Sequence, residues 1–165
     1  MTLHAYHGDP QLRQQVIDQL QSLEKAGRWE HRPLYWNGDV GSFVGSLLRG
    51  DDLDRWEADY GLPKWLALTI DSMVAANSTL GVSWGIHLMQ GIQPGMAMDT
   101  VGSRSLLELL KGKTLGLNGL EAAAGLSEAL DSVAALHAAR LAGQDIDNAS
   151  WRKARREAVA QTNAQ

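Results

Sequence analysis

A chain of 165 residues, 44% apolar and 21% charged, is long enough to bury one sizeable core and does not require a second. A formal charge of −4 argues against nucleic acid as the main partner, and the lack of any cysteine excludes disulfides, thiolate metal sites and thiol nucleophiles. No apolar run approaches the about 18 residues of a membrane span, and the first residues show no basic-then-apolar leader, so a cytoplasmic protein without membrane contact is expected.

Residues 1–8 have no clear period. Asp9-Pro10 is a helix start, a carboxylate at the cap followed by proline in the first turn, and predicts a helix over 10–26. Leu12, Val16, Leu20 and Leu23 form its apolar stripe, and Gly27 ends it. Residues 28–41 are the most irregular and aromatic stretch: Pro33 breaks any helix and Asn37-Gly38-Asp39 signals a turn, so an ordered loop packed by its own aromatics is expected. A short helix from Ser42 to Arg49 follows, where Gly41 and Gly45 sit one turn apart and would let another backbone approach closely.

Asp51-Asp52 caps a helix over 52–60, which passes through the Gly61-Leu62-Pro63 corner into a helix over 63–76. Leu62, Leu66, Ile70 and Met73 repeat at helical spacing there, and Trp56, Tyr60 and Trp65 cluster around the bend, which predicts the centre of the core. Ser78 or Thr79 can cap a helix over 79–91; Leu80, Trp84 and Leu88 lie on one side, Val82, Ile86 and Met89 on others, so burial over much of its circumference is expected. After a Gln93-Pro94-Gly95 turn come a helix over about 100–111 and a connection punctuated by Gly112, Gly116 and Gly119.

Asn118-x-x-Glu121 resembles a capping box and predicts a long helix over 119–142, with Leu126, Leu130, Val133, His137 and Leu141 inward and Gly143 at its end. A last helix over about 148–162 takes Asp147 or Asn148 as cap and Trp151 as anchor. The expected fold is therefore all-α: a compact single-domain bundle of about seven or eight helices over residues 1–165, with an aromatic, glycine-rich ordered loop and no visible domain boundary.

No catalytic constellation stands out. His4, His7 and Asp9 are the nearest approach to a metal site, but three or four matched ligands are the usual requirement, so neither metal nor cofactor is expected. His87 and His137 lie in or beside apolar stripes and read as partly buried, hydrogen-bonded core histidines. Lys111-Gly112-Lys113-Thr114 has the ending of a phosphate loop, yet Leu107 stands where the leading glycine would be. Ser42 and Ser46 follow glycines without forming a nucleophile elbow.

The acidic run Asp51, Asp52, Asp54, Glu57 and Asp59 and the basic run Arg152, Lys153, Arg155 and Arg156 both read as solvated helix faces. What remains is the aromatic loop. Trp29, Tyr35, Trp36 and Asn37 are the candidate binding residues, because aromatic side chains dominate recognition anchors; they serve equally well as core.

The pieces Ala5-Tyr6-His7-Gly8-Asp9-Pro10, Tyr35-Trp36-Asn37-Gly38, Gly41-Ser42-Phe43-Val44-Gly45-Ser46 and Trp56-Glu57 followed by Tyr60-Gly61-Leu62-Pro63 occur here in that order. Together they resemble a group of uncharacterised bacterial and phage-encoded proteins with a Tyr-Trp-x-Asn-Gly stretch, a Gly-Ile-Pro corner and an Ala/Arg-rich C-terminus, some described as immunity-like. The likeness covers about residues 5–110 and more loosely Trp151 onward. Members of that group carry cysteines where this chain has Ser42 and Ser46, so any thiol function there is lost. The resemblance implies a compact helical fold and a surface-recognition role, with no catalytic residue attached. The expected function is thus non-enzymatic binding of another macromolecule, with a protein rather than a nucleic acid as the expected partner. The alternatives are a small-molecule binder or enzyme with its site near residues 35–45, and a structural homo-oligomer such as a homodimer.

Overall fold

The computed structural model describes residues 2–77, 81–113, 116–117 and 125–163. Among them are eight α-helices: α1 Pro10–Ala26, α2 Phe43–Leu48, α3 Leu53–Tyr60, α4 Lys64–Ala76, α5 Gly81–Gly91, α6 Val101–Lys111, α7 Ser127–Leu141 and α8 Asn148–Asn163. No strand occurs among the described residues, only isolated bridges, so the architecture is all-α as the apolar periodicity predicted. The chain falls into two compact units, residues 1–99 and 100–165, at a point where the sequence shows no boundary.

The helix starts in the first unit follow their caps. Asp9 accepts a hydrogen bond from the Gln11 N–H at 2.7 Å, Ser42 from Gly45 at 3.0 Å, and Asp52 from Asp54 at 2.9 Å. Gly27 and Gly61 close α1 and α3 with φ of 61° and 62°. The α3–α4 corner has one contributor that the proline rule omits: Glu57 reaches across it to accept the Lys64 N–H at 3.1 Å.

Tyr6, Val16, Ile17, Leu20, Phe43, Val44, Leu47, Leu48, Trp56, Leu62, Ile70 and Met89 form the buried centre of this unit. The corner lies in that centre, but two of its expected members do not. Trp65 is 39% exposed and Met73 48%, because α4 buries the face carrying Leu66, Ala67, Ile70, Asp71 and Val74 and turns Trp65, Leu68 and Met73 outward. On α5 the inward residues are Ile86 and Met89 with Gly81 and Gly85, while Trp84 and Leu88 are half-buried. A Cβ on Gly85 would lie 2.7 Å from the Phe43 ring, so the glycines let this helix pack closely and rotate the inner face toward them. His87, expected partly buried, is exposed and keeps only a local bond to the Ser83 carbonyl at 2.7 Å. The expected Ser78 or Thr79 cap lies outside the described residues.

The stretch before α1, aperiodic in sequence, is a single turn over Ala5–Gly8 with Tyr6, His7 and Gly8 all in the left-handed region at φ of 52°, 51° and 78°. Such a conformation costs about 1–2 kcal/mol per non-glycine residue and persists only where its surroundings fix it. Here the buried Tyr6 hydroxyl donates to the Met89 carbonyl at 3.0 Å, and the residues before the turn pair with 95–98 through Ala5 N–H to Met96 O, Gly95 N–H to Ala5 O and Met98 N–H to Leu3 O, at 2.8–2.9 Å. The two ends of the first unit are thereby tied together.

The second unit holds α6, α7 and α8. Its most buried residues are Ser103, Leu110, Ala129, Ala134 and Ala154, so the helices pack through small side chains. The larger residues expected on the inner stripe of α7, Leu126, Leu130, Val133, His137 and Leu141, are all half-buried. That helix begins at Ser127, and Leu126 ahead of it has φ of −112° and ψ of 5°, so residues 125–126 do not belong to an uninterrupted helix from 119. The expected Asn118/Glu121 capping box lies outside the described residues. Asp147 caps α8 by accepting the Ser150 N–H at 2.7 Å.

Candidate functional site

The aromatic stretch 28–41 is an ordered loop built by backbone bonds. Glu30 N–H donates to Gly41 O at 2.9 Å, Ser42 N–H to Tyr35 O at 2.8 Å, and Asn37 N–H to Val40 O at 3.1 Å. The Asn37 side-chain oxygen accepts the N–H groups of Asp39 and Val40 at 3.0 and 2.8 Å, which fixes the Asn37-Gly38-Asp39 turn. Gly41 and Gly45 play the part their spacing suggests. The Tyr35 carbonyl lies where a Gly45 side chain would be, and a Cβ on Gly41 would meet that carbonyl at 2.8 Å and the Trp36 ring at 2.7 Å.

One buried carboxylate anchors the loop to the core. Asp71 on α4 is 1% exposed; one of its oxygens accepts the Val44 N–H at 2.8 Å in the first turn of α2, and the other accepts the N–H of Leu34, which is left-handed at φ 49°. Ser42 adds a second clasp, its hydroxyl oxygen accepting from Tyr35 N–H at 3.1 Å as well as from Gly45.

Between the C-terminal half of α1, this loop and α2 lies a solvent-open cleft of about 390 Å³. Gln19, Arg28, Trp36, Asp39, Ser46 and Arg49 contribute to its lining. Arg28 is ion-paired with Asp39 and donates to its carbonyl at 3.2 Å, while Gln19 donates to the Ser46 carbonyl at 3.2 Å. Two groups are uncommitted. The Ser46 hydroxyl, on a residue 3% exposed, has no hydrogen-bond partner among the described residues. Arg49 sits at the C-cap of α2 with φ 50°, exposed, and its guanidinium makes no hydrogen bond, ion pair or ring contact among the described residues. The other arginines of residues 1–99 are engaged: Arg13 on the Gln90 and Ile92 carbonyls, Arg28 on Asp39, Arg32 over the Tyr35 ring at 4.4 Å, and Arg55 on Leu48 O and Asp59.

Of the four binding residues expected from sequence, Trp36 lines the cleft and Asn37 shapes the turn beside it. Trp29 instead stacks on Phe43 at 5.8 Å and 17°, and Tyr35 carries Arg32. Both are packing residues of the loop. Of the other lining residues, Ser46 stood out only as a serine beside a glycine, and Arg49 and Gln19 not at all: an arginine after a short apolar helix reads as an ordinary helix end, and nothing in the sequence brings α1 beside it.

The metal candidates are separately employed. A His4 ring nitrogen bonds the Gly95 carbonyl at 3.2 Å, a His7 ring nitrogen bonds the Ala58 carbonyl at 2.9 Å, and Asp9 caps α1. Among the described residues no three of His, Asp or Glu are grouped to hold an ion. In the second unit, His137 meets the Ser103 hydroxyl at 3.2 Å and the Trp151 ring at 4.8 Å; burial first, and Arg140 second, hold its pKa below the ordinary 6.5.

No family model matches this chain, and neither a curated protein nor a solved structure matches it significantly. Among the described residues no helix is long and apolar enough to cross a membrane.

Proposed function

We propose that this chain is a cytoplasmic, non-enzymatic binding protein that engages another protein through the cleft walled by its aromatic loop. An immunity-like or phage accessory role, the role implied by the sequence resemblance, is a reading of this kind. One observation carries the proposal: an uncommitted Arg49 and a half-buried Trp36 share an open cleft whose wall is fixed from beneath by Asp71. Arginine and tryptophan are the residue types that most often dominate binding energy at protein interfaces, and a preorganised wall spares the ordering cost of association.

A small-molecule site is the second reading, favoured by a cleft volume within the about 300–1,000 Å³ typical of ligand pockets. Affinity capture from the native host with the whole chain as bait tests the first reading. A partner retained in saturable amounts by the unaltered chain and lost with Trp36→Ser is expected; no saturable partner overturns it. Native mass spectrometry of the purified chain reads the second, which expects a bound molecule below about 1 kDa, the scale of a pocket ligand.

A further inference from the structure

Resting on the binding-protein reading, we propose that the cleft recognises an acidic side chain of the partner, with Arg49 as the carboxylate anchor and Trp36 as the apolar wall beside it. Residues 1–99 carry seven Lys or Arg against twelve Asp or Glu, a formal −5, so anionic ligands are repelled from this unit in general. The cleft departs from that background. It gathers Arg28 and Arg49 against Asp39 alone, a local excess of one positive charge.

Arg28 is already neutralised by Asp39, whereas the Arg49 fork is unoccupied. A guanidinium offers two parallel N–H donors that match a carboxylate, which gives direction as well as charge. The Ser46 hydroxyl is enclosed behind the lining, toward Gly41, so the guanidinium of Arg49 is the polar anchor that the open cleft presents. The half-buried Trp36 ring lies beside Gly41, which has no side chain to displace it, and offers an apolar surface to the residue next to the acid.

The test is a titration of the ¹⁵N-labelled full chain at low salt with an acetylated, amidated Leu-Glu-Glu-Leu tetrapeptide, its Leu-Gln-Gln-Leu counterpart, and inorganic phosphate. Saturable shifts are expected for the Trp36 indole, the Arg49 side-chain N–H and the Gly38 and Ser46 amides with the glutamyl peptide only. Arg49→Gln is expected to weaken that binding at least tenfold, Arg49→Lys less so, and Arg104→Gln, which removes the same charge from the other unit, not at all. Equal shifts from the glutaminyl peptide, undiminished binding by Arg49→Gln, or saturation by phosphate in place of the peptide would overturn the carboxylate assignment. The broader reading fails separately: a captured protein partner indifferent to Arg49→Gln refutes this inference alone, whereas the lack of any partner refutes the proposed function.

Discussion

Replacing Asp71 by Asn perturbs the site through its foundation. The two carboxylate oxygens accept the N–H groups of Leu34 and Val44, so the side chain joins the loop to the first turn of α2 from within the core. Asparagine has the same shape but one acceptor oxygen, and its amide nitrogen would face the second N–H donor to donor. A hydrogen bond to a charged group contributes about 1.5–3 kcal/mol, and a stranded buried donor costs about 1–3 kcal/mol. The smaller desolvation cost of an amide offsets part of this, which leaves a net loss of about 2–4 kcal/mol. With a urea slope of about 1.5 kcal/mol/M, the unfolding midpoint of the first unit should fall by roughly 1.3–2.7 M. Amide hydrogen exchange locates the effect: Leu34 and the 35–42 ladder should lose protection before the α4 and α5 amides. A stability change under about 0.5 kcal/mol, with the Leu34 amide as protected as before, would refute the argument that this carboxylate holds the loop.

Further outcomes follow from the same geometry. Gly45→Ala drives a side chain into the Tyr35 carbonyl and should cost about 3 kcal/mol or more by chemical denaturation, whereas Gly27→Ala, left-handed but in open space, should cost about 1 kcal/mol. Burial pushes the Tyr6 phenol from 10.0 up to about 12, so its contribution is fully present below pH 10 and lost as pH rises through 12. That shift corresponds to about 2.7 kcal/mol, and Tyr6→Phe should flatten the alkaline unfolding profile read by near-UV absorbance and circular dichroism. For His137 the sign is reversed: with its folded pKa lowered, the second unit keeps full stability above pH 6.5 and loses some as pH falls through the folded value. A His137 titration by NMR that shows a midpoint at or above 6.5 would contradict that.

The readable parts of the fold were those governed by local chemistry. Asp9-Pro10 with Gly27, and Asp52 with Gly61, mark helix ends because capping is a contact among near neighbours. The close approach at Gly41 and Gly45 was legible for a related reason, since one helical turn separates two residues without side chains. Inward faces were less so. Trp65 and Met73 fit the spacing of Leu66 and Ile70 as well as true core residues do, and the packing of α4 on α2, α3 and α5, with Asp71 beneath the loop, decides which way the helix turns. The left-handed run at Tyr6-His7-Gly8 left no trace in composition, because it is held by partners about 50 to 90 residues away, at Ala58, Met89 and Gly95–Met98. The cleft was half legible for the same cause: Trp36 belongs to a conspicuous stretch, while Arg49 and Gln19 gain meaning only when α1 and α2 flank it.

A photo-crosslinking p-benzoylphenylalanine placed at position 36 in the native host tests the central claim most directly. The cleft reading expects one discrete protein adduct that saturates with expression and disappears when Arg49→Gln is added. No discrete adduct, or the same adduct from the crosslinker placed at exposed position 109 of α6, would contradict it.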